Sequence, residues 1–334
     1  MSFRRSLSGA THVRLIGPVL LLLCGLWLTD TLLSEDRTVG WERNTVRNGL
    51  HRVHAGKDAR VVLLGSSTSA DWLPNPYLAK VLGRKVEDVV DAHMNGCHQP
   101  CTWAEVRQML ARGRRYQIAF FGTNLFQQCE FAHSKRQLQD ELLLPTSDLP
   151  RAFALYAHAE LPLDYLGRFF AVKASGVYGD SGFLQDQWRK AILGAPKPND
   201  TWRWAKTQGP KPAGTHGCGY DDDEIAYKTA VTEALLDDLR ELAEISYFML
   251  LPDDLLTEGT PAQQAAWEKH RALHTALVDA RPWVRLVDLS TGLPGLPGAR
   301  RREDFKDGTH VSPAGLKAQQ ALFEARLKTL GATK

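Results

Sequence analysis

Short apolar runs that end at a turn former recur along the chain, and longer stretches of helical periodicity lie between them. Val61-Val62-Leu63-Leu64 closes at Gly65, Val86 to Ala92 closes near Gly96, and Ile118-Ala119-Phe120-Phe121 closes at Gly122. Tyr247 to Leu251 and Val284 to Leu289 are two more such runs. The uninterrupted runs, Val61 to Leu64 and Ile118 to Phe121, suit strands buried on both faces, as in a parallel sheet, and Val86 to Ala92 and Val284 to Leu289, which carry charged residues, are further candidate strands. Among the intervening segments, Thr102-Trp103-Ala104-Glu105 reads as a capping box that opens a helix through about Arg112. A second helix is expected from about Glu224 to Glu244, with Leu235, Leu236, Leu239 and Leu242 at helical spacing, and a third from Gln263 to Val278. Ser312-Pro313 pairs an N-cap with a first-turn proline ahead of a helix carrying Leu316, Leu322, Leu327 and Leu330. This alternation predicts an α/β fold, a parallel sheet with helices on both faces. Functional groups in such sheets gather beyond the carboxyl ends of the strands.

Two segments depart from the alternation. Residues from about 130 to 224 hold Trp188, Trp202, Trp204 and the Ala195-Pro196-Lys197-Pro198 stretch, and read as a mainly helical cap inserted into the core domain. At the N-terminus, Arg4, Arg5 and Arg14 precede an apolar run from Leu15 to Leu33, whose first acidic residue is Asp30. That run approaches the roughly 20 residues a helix needs to span a bilayer. Basic residues ahead of it place residues 1–14 in the cytoplasm and the rest of the chain outside. The run ends in Leu26-Trp27-Leu28-Thr29-Asp30, without the small-residue pattern of a cleavage site, so an uncleaved anchor is expected over a cleaved signal peptide. The expected layout is a cytoplasmic N-terminus (1–14), a transmembrane anchor (15–33), a linker (34–58) and a catalytic domain (59–330). A single-pass protein with an exported body suits a periplasmic or extracellular location at the cytoplasmic membrane.

Composition narrows the partners. With 43% hydrophobic and 24% charged residues the chain can bury a sizeable core. The net charge of +3 is spread along the sequence, which argues against a nucleic-acid partner, since that needs a concentrated basic face. Apart from Cys24 in the apolar run, the cysteines are Cys97, Cys101, Cys129 and Cys218. Four allow three pairings, and disulfides are the favoured reading, with the choice among them open. A zinc site using His93 and His98 beside Cys97 and Cys101 lacks a matching second ligand pair. His93, His98 and His133 read as loop or packing histidines, and no metal or cofactor is expected. Asp221-Asp222-Asp223-Glu224 reads as an acidic helix start.

Three places carry polar residues that packing does not require. Gly65-Ser66-Ser67-Thr68 follows the first strand, where glycine permits a sharp turn and a serine hydroxyl stands at the sheet edge among backbone N–H groups able to hold an oxyanion. Gly122-Thr123-Asn124 follows the third strand and offers a side-chain amide toward the same place. Asp307-Gly308-Thr309-His310 precedes the last helix; an aspartate three residues before a histidine can bond Nδ1–H and leave Nε2 to take a proton from serine. Asp304, six residues before His310, is the less natural partner. Each motif alone is a common turn, and their ordered combination is the signal.

With an early strand-end serine, Gly96 after the second strand, Asn124 after the third and Asp-x-x-His before the last helix, the sequence resembles the SGNH (GDSL-like) hydrolase superfamily over roughly residues 59–128 and 225–330. The resemblance implies a flavodoxin-like three-layer fold. It implies Ser67 as nucleophile, His310 as general base, Asp307 as its orienter, and Gly96, Asn124 and the Ser67 N–H as oxyanion hole. Two positions depart from the family pattern, Ser66 in place of the first block's aspartate and Leu125 in place of the third block's. The Gly-Ser-Ser form is similar to that of membrane-anchored acyl-transfer proteins of bacterial envelopes, and it leaves Ser66 open as the nucleophile. The implied activity is a serine esterase or O-acyltransferase working on an acyl ester of a cell-envelope polysaccharide or lipid. The altered blocks motivate the alternative, a catalytically inactive glycan-binding or interaction protein of the same fold.

Overall fold

The computed structural model describes residues 58–94, 97–125, 127, 143–157, 222–254, 256, 259–307 and 309–332. The expected anchor, the linker up to residue 57, most of the expected cap with its three tryptophans, His133, Cys129 and Cys218 lie outside the described residues. No helix among the described residues is long and apolar enough to cross a membrane.

Five parallel strands form one sheet in the order β2-β1-β3-β4-β5, the flavodoxin-like arrangement. They are β1 (Val61–Leu64), β2 (Val89–Asp91), β3 (Tyr116–Thr123), β4 (Ala243–Leu250) and β5 (Val284–Asp288). The helices are α1 (Ser67–Trp72), α2 (Asn75–Val81), α3 (Gln99–Ala111), α4 (Leu149–Ala157), α5 (Asp222–Leu242), α6 (Pro261–Asp279) and α7 (Pro313–Thr329).

Successive strand side chains point to opposite faces, and the core divides accordingly. Val62, Leu64, Ala119, Phe121, Phe248 and Leu250 pack against α3, α5 and α6. Val61, Leu63, Phe120, Tyr247, Met249 and Val287 pack against α1, α2 and α7. The unbroken apolar runs thus fill two cores, and three layers result.

The observed boundaries differ from the sequence reading where local chemistry intervenes. Val86–Asp88 forms a 3₁₀ turn instead of the start of a strand, because the Asp88 carboxylate accepts from the Lys85 N–H at the turn entrance. Thr102 does not cap α3; the helix begins at Gln99, with Pro100 filling a first-turn position that needs no N–H donor. β4 starts at Ala243, inside the stretch expected to be helical through Glu244, because Ala243 pairs with Tyr116 of β3. The helix of the C-terminal segment starts as its Ser312-Pro313 pair suggests, with Ser312 Oγ accepting from the Gly315 N–H at 3.2 Å.

Within the stretch read as a cap, residues 143–157 lie against the main core. Leu143, Leu144 and Ala152 join its first face. Asp148 accepts from Arg107 Nε (3.0 Å) and Nη2 (2.7 Å), while Asp238 accepts from Arg107, Arg151 and the Trp103 indole. Two carboxylates and two guanidiniums therefore join α3, α4 and α5. The two carboxylates are buried, and such charges are tolerated when each is paired and hydrogen-bonded.

Candidate active site

β1 delivers the first part of the site. At Gly65 the backbone takes φ +116°, a left-handed conformation open to glycine, and a Cβ there would stand 2.6 Å from Ser69 Oγ. The turn ends in Ser66, whose hydroxyl caps α1 by accepting from the Thr68 N–H at 3.3 Å. Ser66 is buried and committed to this cap, whereas Ser67 is half-buried and has its hydroxyl turned elsewhere.

The Ser67 hydroxyl lies 2.9 Å from His310 Nε2. On the other edge of the ring, Nδ1 lies 3.0 Å from Asp307 Oδ1 and 2.9 Å from Oδ2. Asp307 Oδ1 also accepts from the backbone N–H of His310 (3.0 Å) and of Thr309 (3.3 Å). A carboxylate facing Nδ1 selects the tautomer with the proton there, and Nε2 then accepts from the serine.

The loop carrying both residues is fixed at its base. Phe305 and Val311 form an antiparallel bridge, and the Lys306 N–H donates to the His310 carbonyl at 2.7 Å. Phe305 meets Trp72 of α1 edge to face, and Lys306 Nζ donates to Asp71 Oδ2 at 3.2 Å, so the serine helix and the histidine loop are joined at two further points. The Asp304 carboxylate is engaged with backbone, accepting from the Arg300 N–H (2.9 Å) and the Arg301 N–H (2.8 Å) and so bracing the loop. Gly315 admits the start of α7 against this brace, since a Cβ there would stand 2.1 Å from the Asp304 carbonyl oxygen.

The electrostatics match the contacts. Burial pushes the Asp307 carboxyl up, but the hydrogen bonds and charge of His310 outweigh it and hold the group at about 2. Burial likewise pushes His310 down, and the hydrogen bond and charge of Asp307, with the charge of Asp71, raise it above the ordinary imidazole value of 6.5.

β3 delivers Asn124, which is fully buried. Its Oδ1 accepts from the Gln127 N–H at 2.9 Å, and its Nδ2 has no partner among the described residues. A buried amide donor left open in this way is an available hydrogen bond for a ligand oxygen. Gly96, the remaining expected member of the oxyanion hole, lies outside the described residues. Next to it, Cys97 and Cys101 are joined in a disulfide across the start of α3, which commits both sulfurs and removes them from any zinc set with His93 and His98.

Sequence reasoning missed Gln127. Its Nε2 donates to Ser66 Oγ and, at 3.0 Å, to Thr68 Oγ1. No turn or spacing signal marks a glutamine three residues past Asn124, and only the fold brings it to the serine turn. Also unanticipated are His270 and His274 of α6, both fully buried, with ring centroids 4.2 Å apart.

The chemistry open to this arrangement is proton abstraction from Ser67 by His310, with Asn124 Nδ2 as an unused donor in the same molecule. No family model and no curated protein matches the chain. Among solved structures, a protein from Streptococcus pneumonia provisionally described as a platelet activating factor is similar at 14% identity and a TM-score of 0.32, over 97% of this chain and 99% of that one. A TM-score of that size carries no argument about activity, so the functional reading stands on the site itself.

Proposed function

We propose that this chain is a serine esterase or O-acyltransferase of the SGNH hydrolase type, working through an acyl-serine at Ser67. The observation that carries the reading is the continuous contact from Ser67 Oγ to His310 Nε2 and from His310 Nδ1 to Asp307. His310 takes the hydroxyl proton as Ser67 Oγ bonds to an ester carbonyl carbon, and the carbonyl electron pair moves to oxygen. Asn124 Nδ2 and the Ser67 N–H are the donors for that oxyanion, with the Gly96 N–H as a third. His310 then returns the proton to the departing alkoxide as the ester C–O bond breaks. Water, or a sugar hydroxyl, repeats the sequence on the acyl-serine and gives free acid or a transferred acyl group.

The exported, membrane-tethered location belongs to the same proposal. Support comes from the basic-then-apolar pattern through Leu33 and from the Cys97–Cys101 disulfide, since such bonds persist in oxidising compartments. An acyl ester of an envelope glycan or lipid is the substrate class that fits that location.

The test is turnover of p-nitrophenyl acetate by the purified full chain, with and without an oligosaccharide acceptor, beside Ser67→Ala, His310→Ala, Asp307→Asn and Ser66→Ala. Loss of about 10³-fold or more is expected for each of the first three, following the behaviour of such triads. Ser66→Ala is expected to keep acylation at Ser67, seen as fluorophosphonate labelling of that serine. Undiminished turnover in Ser67→Ala would sink the reading. Acyl groups found on the acceptor would assign transfer, and acid alone would assign hydrolysis.

A further inference from the structure

Ser66, Gln127 and Lys228 are buried beside the triad and take no part in the acyl-transfer steps above. They form one connected unit. The Gln127 backbone N–H donates to Asn124 Oδ1 at 2.9 Å. Its side-chain Nε2 donates to Ser66 Oγ and to Thr68 Oγ1, and these two hydroxyls are themselves 2.8 Å apart. Its backbone carbonyl accepts from Lys228 Nζ of α5 at 3.0 Å. One residue thereby touches the neighbours of Ser67 on both sides and the amide of Asn124, and is itself tied to a helix of the opposite layer.

Each contact has a consequence at the reacting atoms. Holding Asn124 Oδ1 on a backbone N–H fixes which way the amide faces, so that Nδ2 is the group left without a partner among the described residues. Holding Ser66 and Thr68 by one amide fixes the turn on which Ser67 sits, because the two donated hydrogens span residues 66 and 68. A buried glutamine with both hydrogens placed is hard to move, since any shift strands a donor in the interior.

We infer that Gln127 is a positioning residue for acyl transfer, setting the Ser67 turn and the Asn124 amide as one unit, with Lys228 holding it from α5. Ser66, at the position where the resemblance expects an aspartate, is on this reading the acceptor through which Gln127 acts. The inference rests on the serine-hydrolase reading of the site.

The experiment compares p-nitrophenyl acetate kinetics of the wild-type full chain with Ser67→Ala, Gln127→Met, Ser66→Ala and the Gln127→Met/Ser66→Ala double variant. Gln127→Met keeps the volume and removes the donors. It is expected to lower kcat by about tenfold while KM stays within about twofold, the signature of a lost transition-state alignment. The double variant is expected to fall by less than the product of the two single losses, since both remove the hydrogen bond between Gln127 and Ser66. Thr68→Val, which removes the other acceptor at constant shape, carries the same kcat-against-KM test should Gln127→Met fail to fold by thermal melt. Turnover that depends on Ser67 but keeps its kcat in the folded Gln127 or Thr68 variant overturns the positioning role alone. Wild-type protein without Ser67-dependent turnover overturns the hydrolase reading and the positioning role together.

Discussion

Ser67 and His310 are 243 residues apart in sequence, and their reacting atoms are 2.9 Å apart in space. The contact is held by the bridge between Phe305 and Val311, the edge contact of Phe305 with Trp72, and the ion pair of Lys306 with Asp71. A general base must be neutral to accept a proton, and His310 is raised above the usual 6.5. Esterase activity is therefore expected to rise with pH through an apparent midpoint above 6.5. Asp307→Asn removes the main groups that raise it, so the residual activity is expected to titrate at lower pH. A pH–rate profile of both proteins checks this; coincident midpoints would remove Asp307 from that role.

Asn124 offers a second, separate handle. Its Nδ2 is buried and without a partner among the described residues, while its Oδ1 accepts from the Gln127 N–H, so truncation removes one internal hydrogen bond together with the open donor. Asn124→Ala is expected to lower kcat by about 10²- to 10³-fold, the loss typical of one oxyanion donor. Melting temperature measured on the same sample distinguishes this from unfolding.

The buried pair on α6 predicts a pH dependence of stability rather than of rate. Burial holds His274 down to about 4, and burial, with the neighbouring charges of His274 and Lys228, holds His270 well below its ordinary value. The unfolded chain takes up protons at both near pH 6.5, whereas the folded chain does not, so these two residues make stability fall as pH drops from about 6.5 toward about 4. Urea midpoints are expected to decline across that window, and to decline less steeply in His270→Gln/His274→Gln.

Reduction of Cys97–Cys101 opens a small loop of sequence separation 4. A closed loop that short restrains the unfolded chain by about 2 kcal/mol. Cys97→Ala/Cys101→Ala is accordingly expected to lower unfolding free energy by about that amount. Denaturant unfolding with and without reductant measures it, and an unchanged midpoint would show that the bond leaves folding indifferent.

Much of the sheet was legible because its signal is local. Val61-Val62-Leu63-Leu64 is apolar throughout because both faces are covered, and the run is the strand. The boundaries that escaped depend on a partner. Ala243 and Glu244 carry helical neighbours, and only pairing with β3 makes them strand. Ser67, Asp307, His310 and Asn124 were singled out by their order and spacing and by the family resemblance these carry, and the structure places the first three in contact. Gln127 was not, since it acts across elements that no sequence pattern connects, and for His270 and His274, one turn apart on α6, what the spacing does not carry is their complete burial.

The order in which the site's parts occur along the chain bears on its biosynthesis. The proposed nucleophile and oxyanion amide stand early, at Ser67 and Asn124, whereas the proposed base and orienter lie in the loop between β5 and α7. A nascent chain that has emerged only as far as residue 254 holds the Ser67 hydroxyl and the Asn124 amide but lacks His310, the imidazole that meets that hydroxyl. On the proposed mechanism, reactivity toward esters is expected only once the last strand and helix dock, which would make the first appearance of fluorophosphonate labelling during synthesis or refolding a clock for that docking.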